Sequence, residues 1–202
     1  MNKHIYISIH FLLVVALLLF VSGCTKQSLP LFYYTLESSN QTQALQTDPK
    51  QNILIGPIHI SSFLNKGQLV KQKSAYSIKI EEQHRWAGNL QEMVSDSLIN
   101  NLSLSLGSNT IHKFPNSHGL AAIQLELNLT HFEEDINGQA LTQARWKLIG
   151  PTQAILYATT STYIVEPDDS SYSSLVKGLS IGISRLSKDI ADAIRNFNSS
   201  KE

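Results

Sequence analysis

The sequence predicts an α+β fold, a mixed α/β sandwich in which two long helices cover a mostly antiparallel sheet. Two observations support this prediction. Apolar and polar residues alternate in several segments, most clearly over residues 123–130, and this period is typical of a half-buried strand. In two other segments, from Leu90 to Leu106 and from Tyr172 to Phe197, apolar residues recur every three or four positions. That spacing predicts amphipathic helices whose apolar stripes cover the sheet.

The composition narrows the class of protein. The 202 residues include 16 basic and 16 acidic side chains, so the chain has no basic excess to neutralise phosphates and we expect no nucleic-acid partner. An apolar content of 42% is too high for a disordered chain. The only cysteine, Cys24, is unable to form an intrachain disulfide or to supply a zinc site by itself. The length fits one domain with short appendages.

The N-terminus resembles a secretory signal. Lys3 and His4 give a positive start, and an uninterrupted apolar core follows from Phe11 to Val21. This core is much shorter than the roughly 20 residues of a membrane-spanning helix, and it fits the apolar region of a signal peptide. The next residues resemble the bacterial lipobox, with three small or apolar positions before the cysteine: Val21, Ser22, Gly23 and Cys24.

The lipobox resemblance implies cleavage before Cys24 and transfer of a diacylglycerol to its thiol. Residues 1–23 are then the lipoprotein signal peptide, residues 24–30 the lipidated cysteine and a tether, and residues 31–198 one globular domain. Thr25 is not the aspartate that resembles an inner-membrane retention signal. The expected location is therefore the outer membrane of a Gram-negative bacterium, with the domain on the periplasmic face. An uncleaved anchor, or an ordinary signal with a chance cysteine, is the alternative.

The first half of the domain is predicted to contain three strands before its first helix. They are rich in β-prone residues or alternate in polarity. Gly56-Pro57 interrupts the second strand, and a proline at this point indicates an edge or a bulge. The three strands are predicted over residues 31–36, 52–60 and 74–82, with a polar loop over 38–52, and Gly107 is predicted to end the helix from Leu90 to Leu106.

The second half is predicted to form a three-strand antiparallel meander. Asn137-Gly138 is the dipeptide of a tight two-residue hairpin turn, because both residues tolerate positive φ. Gly150-Pro151 makes the second turn, and Asp168-Asp169 is predicted to cap the last helix. A short strand over 110–113 precedes the meander strands, which are predicted over 123–130, 140–149 and 153–165. The stripe of the last helix is expected to cover the sheet, although a partner helix is an alternative.

No motif argues for catalysis. The sequence contains no H-E-x-x-H, no G-x-S-x-G and no phosphate-binding P-loop, so we expect no catalytic residues, no metal site and no cofactor. His59 and His131 fall in predicted strands, where a satisfied or solvent-facing imidazole is the expected role. The acidic run Glu133-Glu134-Asp135 is interpreted as a solvated strand end, with a cation site as the alternative.

Several short segments resemble the PqiC-like lipoproteins, which are the ABC-type transport auxiliary family. They are the segment I-G-P-I at 55–58, the segment at 63–70 that contains Gln68, and H-R-W-A at 84–87, which contains Arg85 and Trp86. The segment Y-Y-T-L at 33–36 is similar to the early strand of that family. Gln68, Arg85 and Trp86 are therefore candidate partner contacts, although Trp86 is first expected to be a core anchor.

The resemblance implies a non-catalytic component of an MCE/ABC-type intermembrane lipid (phospholipid) transport system. In such a system the auxiliary lipoprotein docks the transport conduit at the outer membrane and so contributes to envelope integrity. The implied partner is an MCE-domain protein of an inner-membrane complex, and a homo-oligomer is a further possibility. Two alternatives stay open, an assembly or pilot lipoprotein for an outer-membrane β-barrel or secretin, and a periplasmic hydrolase.

Overall fold

The structure is a computed structural model that describes Ser8 and residues 29–38, 52–107, 110–115 and 122–199. Apart from Ser8, the predicted signal peptide lies outside the described residues, as do Cys24 and most of the tether. The chain divides into an N-terminal unit, Met1–Pro30, and a folded unit, Leu31–Glu202. No helix among the described residues is long and apolar enough to cross a membrane.

The described residues form eight strands and two helices, which confirms the predicted α+β class. The helices are α1 (Leu90–Leu106) and α2 (Tyr172–Ser199). The strands are β1 (Phe32–Tyr34), β2 (Asn52–Ile60), β3 (Gln68–Ser74), β4 (Ser77–Trp86), β5 (Ile111–Lys113), β6 (Ala122–Glu134), β7 (Ala140–Ile149) and β8 (Ile155–Val165).

The eight strands form one mixed sheet. Its main order is β1-β4-β3-β6-β2-β5, and β7 pairs with the other side of β6, followed by β8. The meander of β6, β7 and β8 is antiparallel, as predicted. β3 and β4 form a further antiparallel hairpin, and β3 was not among the predicted strands. The pairings of β1 with β4, and of β2 with β5 and β6, are parallel. Parallel pairing joins segments that are distant in sequence, and local alternation does not reveal it.

Both helices bury their apolar stripes against one side of the sheet. α2 packs on β7 and β8, α1 packs on β2 and β5, and the two helices contact each other. The stripe of α1, from Leu90 through Val94, Leu98 and Leu102 to Leu106, is buried as predicted. Asn89 accepts a hydrogen bond from the backbone N–H of Glu92 at the start of α1, and Gly107 ends the helix with φ 60°. The prediction that α2 covers the sheet is confirmed.

Two glycines, four residues apart, bring α2 unusually close to β7. Gly178 and Gly182 are both buried and lie over inward-facing residues of β7. A methyl group at Gly178 would meet the Cβ of Ala140 at 2.7 Å. A methyl group at Gly182 would collide with the side chain of Thr142. Only glycine permits this approach, which places the rest of the helix stripe deep in the core.

Two turns differ from their predictions. The strand predicted from residue 74 is interrupted at once, because Ser74 ends β3 and Ser77 begins β4. Tyr76 lies in the hairpin turn with 99% of its surface exposed, and its N–H donates to the Ser74 hydroxyl. The expected two-residue turn at Asn137-Gly138 is a three-residue loop. Asp135 pairs with Gln139 across it, and only Gly138 has positive φ, the geometry of a three-residue hairpin with a glycine bulge.

The starts of two elements also differ from the sequence expectation. The first strand is limited to Phe32–Tyr34, because it pairs with β4 over these three residues only. The cap of α2 is Ser171, whose hydroxyl accepts from the N–H of Ser174. Asp169 lies before the cap and accepts a hydrogen bond from the N–H of Ser171. Asp168 forms an ion pair with Lys177. The predicted proline-glycine irregularity in β2 is confirmed as a register shift between Ile55 and Ile58.

We expect Gly178→Ala to lower the free energy of unfolding, although alanine favours a helix over glycine by about 1 kcal/mol. Overpacking against the fixed Cβ of Ala140 costs about 1–3 kcal/mol. Urea unfolding of the folded unit measures the difference. Gly88→Ala is the matched control, since its methyl group would contact nothing nearer than the Met93 sulfur at 3.9 Å. The combination with Ala140→Gly should recover part of the loss, and equal stability of both single variants would contradict the close approach.

Candidate functional site

Three of the four segments that resemble the family, those at 33–36, 63–70 and 84–87, meet at one corner of the sheet, whereas the segment at 55–58 lies on β2, beyond β6. β1 runs parallel to the end of β4 and places Phe32 beside His84 and Tyr34 beside Trp86. The Tyr34 hydroxyl lies 2.8 Å from Nδ1 of His84. The N–H of Ala87 donates to the Tyr34 carbonyl at 2.8 Å. The early aromatic strand is therefore held by the H-R-W-A segment through both backbone and side chain.

The His84 ring is stacked against aromatic rings from two other elements. The Tyr172 ring, at the start of α2, has its centroid 3.5 Å from that of His84 with the planes 15° apart. The Phe32 ring of β1 lies 5.2 Å from His84 with an interplanar angle of 11°. Lys71 of β3 places its ammonium 4.2 Å from the Tyr172 centroid, a cation–π contact. These stacked groups join β1, β3 and β4 to α2.

Ion pairs complete this group of side chains. Lys71 Nζ lies 2.6 Å from Glu134 Oε2 at the end of β6, and both side chains are largely buried. Glu81 is buried and pairs with Lys79 at 2.9 Å, and it also accepts a hydrogen bond from the Tyr172 hydroxyl. We call these residues the aromatic–ionic cluster: Phe32, Tyr34, Lys71, Lys79, Glu81, His84, Glu134 and Tyr172.

The pKa values within the cluster follow from burial and pairing. Burial, reinforced by the hydrogen bond to Glu81, raises the pKa of the Tyr172 hydroxyl to about 12. Burial alone would raise the pKa of Glu81. The hydrogen bonds from Lys79 and Tyr172 and the charges of Lys79 and Lys71 outweigh this effect, and the pKa of Glu81 is lowered. Tyr172 is thus a neutral donor and Glu81 an ionised acceptor at neutral pH.

His84 is held in its neutral form. Burial lowers its pKa, the charge of Glu81 opposes this effect, and the charges of Lys71 and Lys79 add to it. In the neutral tautomer that carries its proton on Nε2, Nδ1 of His84 accepts from the Tyr34 hydroxyl, and a proton on Nδ1 would reverse the direction of this bond. The polar groups of the aromatic–ionic cluster have partners within the protein, and their contacts hold β1, β3, β4, β6 and α2 together. We therefore interpret the aromatic–ionic cluster as a clamp that holds β1 against the domain.

The three motif residues predicted as partner contacts have different environments. Trp86 is 5% exposed and stacks on Phe132 with centroids 5.8 Å apart, so its indole is part of the core. Arg85 is partly exposed, and its Nε donates to the Glu82 carbonyl at 2.9 Å. Gln68 lies opposite Arg85 in the β3–β4 hairpin and donates to the Glu82 carboxylate at 3.5 Å. Gln68 and Arg85 therefore meet at Glu82, whereas Trp86 points to the interior.

The acidic run at the end of β6 is not solvated, contrary to the prediction. Glu133 is only 3% exposed. Its carboxylate pairs with His131 at 2.6 Å and accepts from the N–H of Phe132. Asp135 accepts from the N–H groups of Asn137 and Gln139, both at 2.8 Å. The run is buried because each carboxylate has an internal partner, and the described residues contain no group of three or more His, Cys, Asp or Glu arranged to hold a metal ion.

The face of the sheet opposite the helices carries a groove of about 470 Å³, lined by apolar and polar side chains. It is formed where β2, β6, β7 and β8 lie side by side. Arg145 is exposed there, and Lys147 pairs with Glu126 at 2.7 Å. His59, which is exposed as the sequence analysis allowed, lies beside Asn128. The polar and charged residues that line the groove include His59, Glu126, Asn128, Arg145, Lys147 and Thr160.

A second exposed surface lies on β1 and the residue before it. Tyr33 is 61% exposed, and Leu31 and Phe32 are each about half exposed. These apolar side chains directly follow the predicted tether. Tyrosine is enriched at the boundary between water and an apolar phase, because its ring is apolar and its hydroxyl is polar.

A family model matches residues 34–191, and its description is the ABC-type transport auxiliary lipoprotein component. The chain belongs to this family. The match begins at Tyr34 and ends in α2, so it includes both helices and most of the aromatic–ionic cluster. The resemblance found in the motifs is thereby confirmed, and no curated protein matches the chain.

Two of the solved structures that match share the fold of this auxiliary lipoprotein, and a third is less similar. Protein XCC0632 from Xanthomonas campestris, a DUF330 protein, has a TM-score of 0.71 at 12% identity, over 85% of this chain and 99% of that chain. A crystal structure of an uncharacterized protein has a TM-score of 0.70 at 20% identity, over 82% and 99%. PelC from Paraburkholderia phytofirmans, solved as a dodecamer, has a TM-score of 0.44 at 11% identity, over 75% and 91%.

Sequence analysis placed Tyr34 and His84 in motifs but missed their partners Lys71, Glu81 and Tyr172. Lys71 lies only one residue after the matched segment at 63–70, and Tyr172 had been assigned to the apolar stripe of the last helix. Each is an ordinary surface or stripe residue by its local pattern. Their meeting depends on the register of β3 with β4 and on where α2 begins.

We expect the auxiliary lipoprotein to lose stability as the pH falls below about 6.5, the ordinary pKa of histidine. The pKa of His84 is lower in the folded chain, so the unfolded chain binds this proton more tightly and the stabilisation is lost as pH falls toward the folded pKa. His84→Asn should flatten this part of the curve, measured by urea unfolding over a pH series. His59→Asn, at an exposed histidine, is the control that keeps the slope. An unchanged slope in His84→Asn would contradict the neutral assignment.

Proposed function

We propose that this auxiliary lipoprotein is the outer-membrane docking component of an MCE/ABC-type system that moves phospholipid between membranes. In this proposal Cys24 carries the lipid, the domain lies on the periplasmic face, and an MCE-domain protein of an inner-membrane complex docks on it. The protein acts by binding and not by catalysis. Membership of the auxiliary lipoprotein family over residues 34–191 is the observation that supports the proposal most directly.

The position of β1 supports attachment close to a membrane. Six residues lie between Cys24 and Leu31, so the seven steps from one Cα atom to the other span at most about 25 Å when extended. The first residues beyond the tether are the exposed Leu31, Phe32 and Tyr33. With Cys24 lipidated, these apolar side chains lie near the headgroups, and the clamp around His84 transmits the pull of the anchor to the sheet.

The groove on the open face of the sheet is the docking surface in this proposal. Neither described helix covers that face, and its rim offers Arg145 as an exposed arginine. Arginine is enriched among the residues that dominate protein–protein affinity. Leu127, Trp146 and Ala158 supply apolar surface in the groove, and the Lys147–Glu126 pair supplies polar groups, a combination found in protein–protein interfaces. The partner is thus expected to contact the domain from the side opposite α2.

We expect residues 25–202, exported with a cleavable signal peptide that has no lipobox cysteine, to be recovered in the soluble periplasm, whereas the wild-type chain is recovered in the membrane fraction. Stable membrane attachment needs more than one acyl chain, because a single chain binds a bilayer only marginally. A chain without any acyl group therefore has no lipid anchor to hold it on the membrane. Fractionation of the envelope followed by intact-mass measurement of the wild-type chain tests this directly. An unacylated wild-type chain, or a signal peptide still attached, would contradict the anchoring step.

We expect Arg145→Glu to reduce co-purification of the MCE-domain protein about tenfold or more, since loss of a central arginine costs at least about 1–2 kcal/mol. Lys188→Glu is the matched control, because it makes the same charge reversal at an exposed site on α2. Quantitative mass spectrometry of tagged protein from solubilised envelope provides the readout. Recovery of a β-barrel or secretin in place of an MCE-domain protein would favour the assembly or pilot alternative.

A further inference from the structure

The turn between β3 and β4 presents the most exposed aromatic side chain among the described residues. Tyr76 is 99% exposed. Its N–H donates to the Ser74 hydroxyl at 3.3 Å, and that hydroxyl lies 2.8 Å from the hydroxyl of Ser77. These hydrogen bonds fix the turn at the end of the hairpin. The ring of Tyr76 is therefore held open to solvent by a defined turn.

Two more apolar side chains are exposed at the same end of the sheet. β3 and β6 run parallel, with Lys71 opposite Glu134, and the β3–β4 turn and the β6–β7 turn both come shortly after this pair. Ile136, in the β6–β7 turn, is 58% exposed, and Ile78, at the start of β4, is 42% exposed. We call Tyr76, Ile78 and Ile136 the apolar tip. Exposed apolar side chains that gather in one place mark a surface that contacts a partner or a membrane.

The exposed charges around the apolar tip are positive. Lys73 and Lys79 are exposed on the two strands of the hairpin, and Lys73 has no ion pair with a described residue. The carboxylates closest to the two turns along the chain are buried or largely buried and have internal partners; they are Glu81, Glu134 and Asp135. Tyrosine and lysine are typical of the zone where a bilayer meets water, because the ring enters the headgroup layer while the ammonium stays in water.

The apolar tip lies within the reach of the predicted lipid anchor. β1 pairs parallel with the end of β4, with Phe32 opposite His84, so the chain enters β1 from the side on which β4 begins. Ser77, the first residue of β4, is seven steps from His84, just as Leu31 is seven steps from Cys24. Both distances have the same upper limit of about 25 Å. A bilayer that holds an acylated Cys24 is therefore close enough to touch the end of the hairpin.

We propose that the apolar tip is a second membrane contact, which enters the headgroup layer of the bilayer that holds Cys24. The ring of Tyr76 lies among the headgroups, and Lys73 lies against the phosphates of anionic phospholipid. This proposal rests on the lipid anchor of the proposed function and adds an orientation to it. The anchor keeps the tip at a high effective concentration near the bilayer, so that even a weak second contact forms. Two attachment points then fix the orientation of the domain on the membrane.

The size of the apolar tip favours a bilayer over a protein partner. A stable protein–protein interface buries roughly 800 Å² on each side, and three side chains on two turns do not provide this area. A bilayer contact needs no such area when acyl chains already supply the affinity. The positive charges beside the tip are also complementary to the anionic lipids of a membrane surface.

A fluorescent label beside Tyr76 tests the contact in the full acylated chain. Cys24 is the one native cysteine and its sulfur carries the lipid, so Ala75→Cys supplies a single free thiol at the exposed turn. The labelled chain is reconstituted in vesicles of phosphatidylethanolamine and phosphatidylglycerol that contain a lipid with a quencher near its headgroup. Thr152→Cys is the matched control, because it is exposed at the β7–β8 turn, at the other end of β7 from the β6–β7 turn. We expect the label at position 75 to lose most of its fluorescence and the label at position 152 to keep it.

Substitution of Tyr76 shows whether its ring makes the contact. In the labelled Ala75→Cys chain, Tyr76→Glu should abolish most of the quenching, because a carboxylate is repelled by anionic headgroups, whereas Tyr76→Phe should retain it. Circular dichroism verifies that both variants fold. Quenching that stays unchanged in Tyr76→Glu would overturn the proposal.

Flotation of the same samples separates this proposal from the function on which it rests. An acylated chain that floats with the vesicles but shows equal quenching at positions 75 and 152 would overturn the second contact and leave the anchor in place. A chain without acyl groups would contradict the anchor and the second contact together.

Discussion

The close approach of α2 to β7 is the constraint on which the remaining surfaces depend. Gly178 and Gly182 have no side chains to separate the helix from the strand, so the stripe of α2 enters the core from one side of the sheet. α1 packs on the same side, against α2. Two helices are enough to bury one face of eight strands, and the opposite face remains open along β2, β6, β7 and β8. Function is therefore expected at the open face and at the sheet edges, since the helix side is used for packing.

How far the sequence predicts this fold depends on the distance between contacting residues. Alternation and helical periodicity depend on near neighbours, so both helices, the bulge in β2 and the meander were predicted from the sequence. The parallel pairings of β1 and β2 were not, because they join segments separated by many residues. β3 and the hairpin turn at Tyr76 were missed because residues 71–74, K-Q-K-S, have no apolar alternation that would indicate a strand. The burial of Glu133 was missed because the local sequence does not show whether a glutamate has hydrogen-bond partners inside the fold or faces solvent.

In the candidate site, too, the sequence predicts local features but not contacts between distant residues. Tyr34, His84 and Trp86 were found because they belong to short motifs, but the structure gives them different roles. Trp86 fills the core beside Phe132, whereas Tyr34 and His84 join a set of stacked and paired groups contributed by five elements. Lys71 and Tyr172 belong to that set only because of strand register and the start of α2.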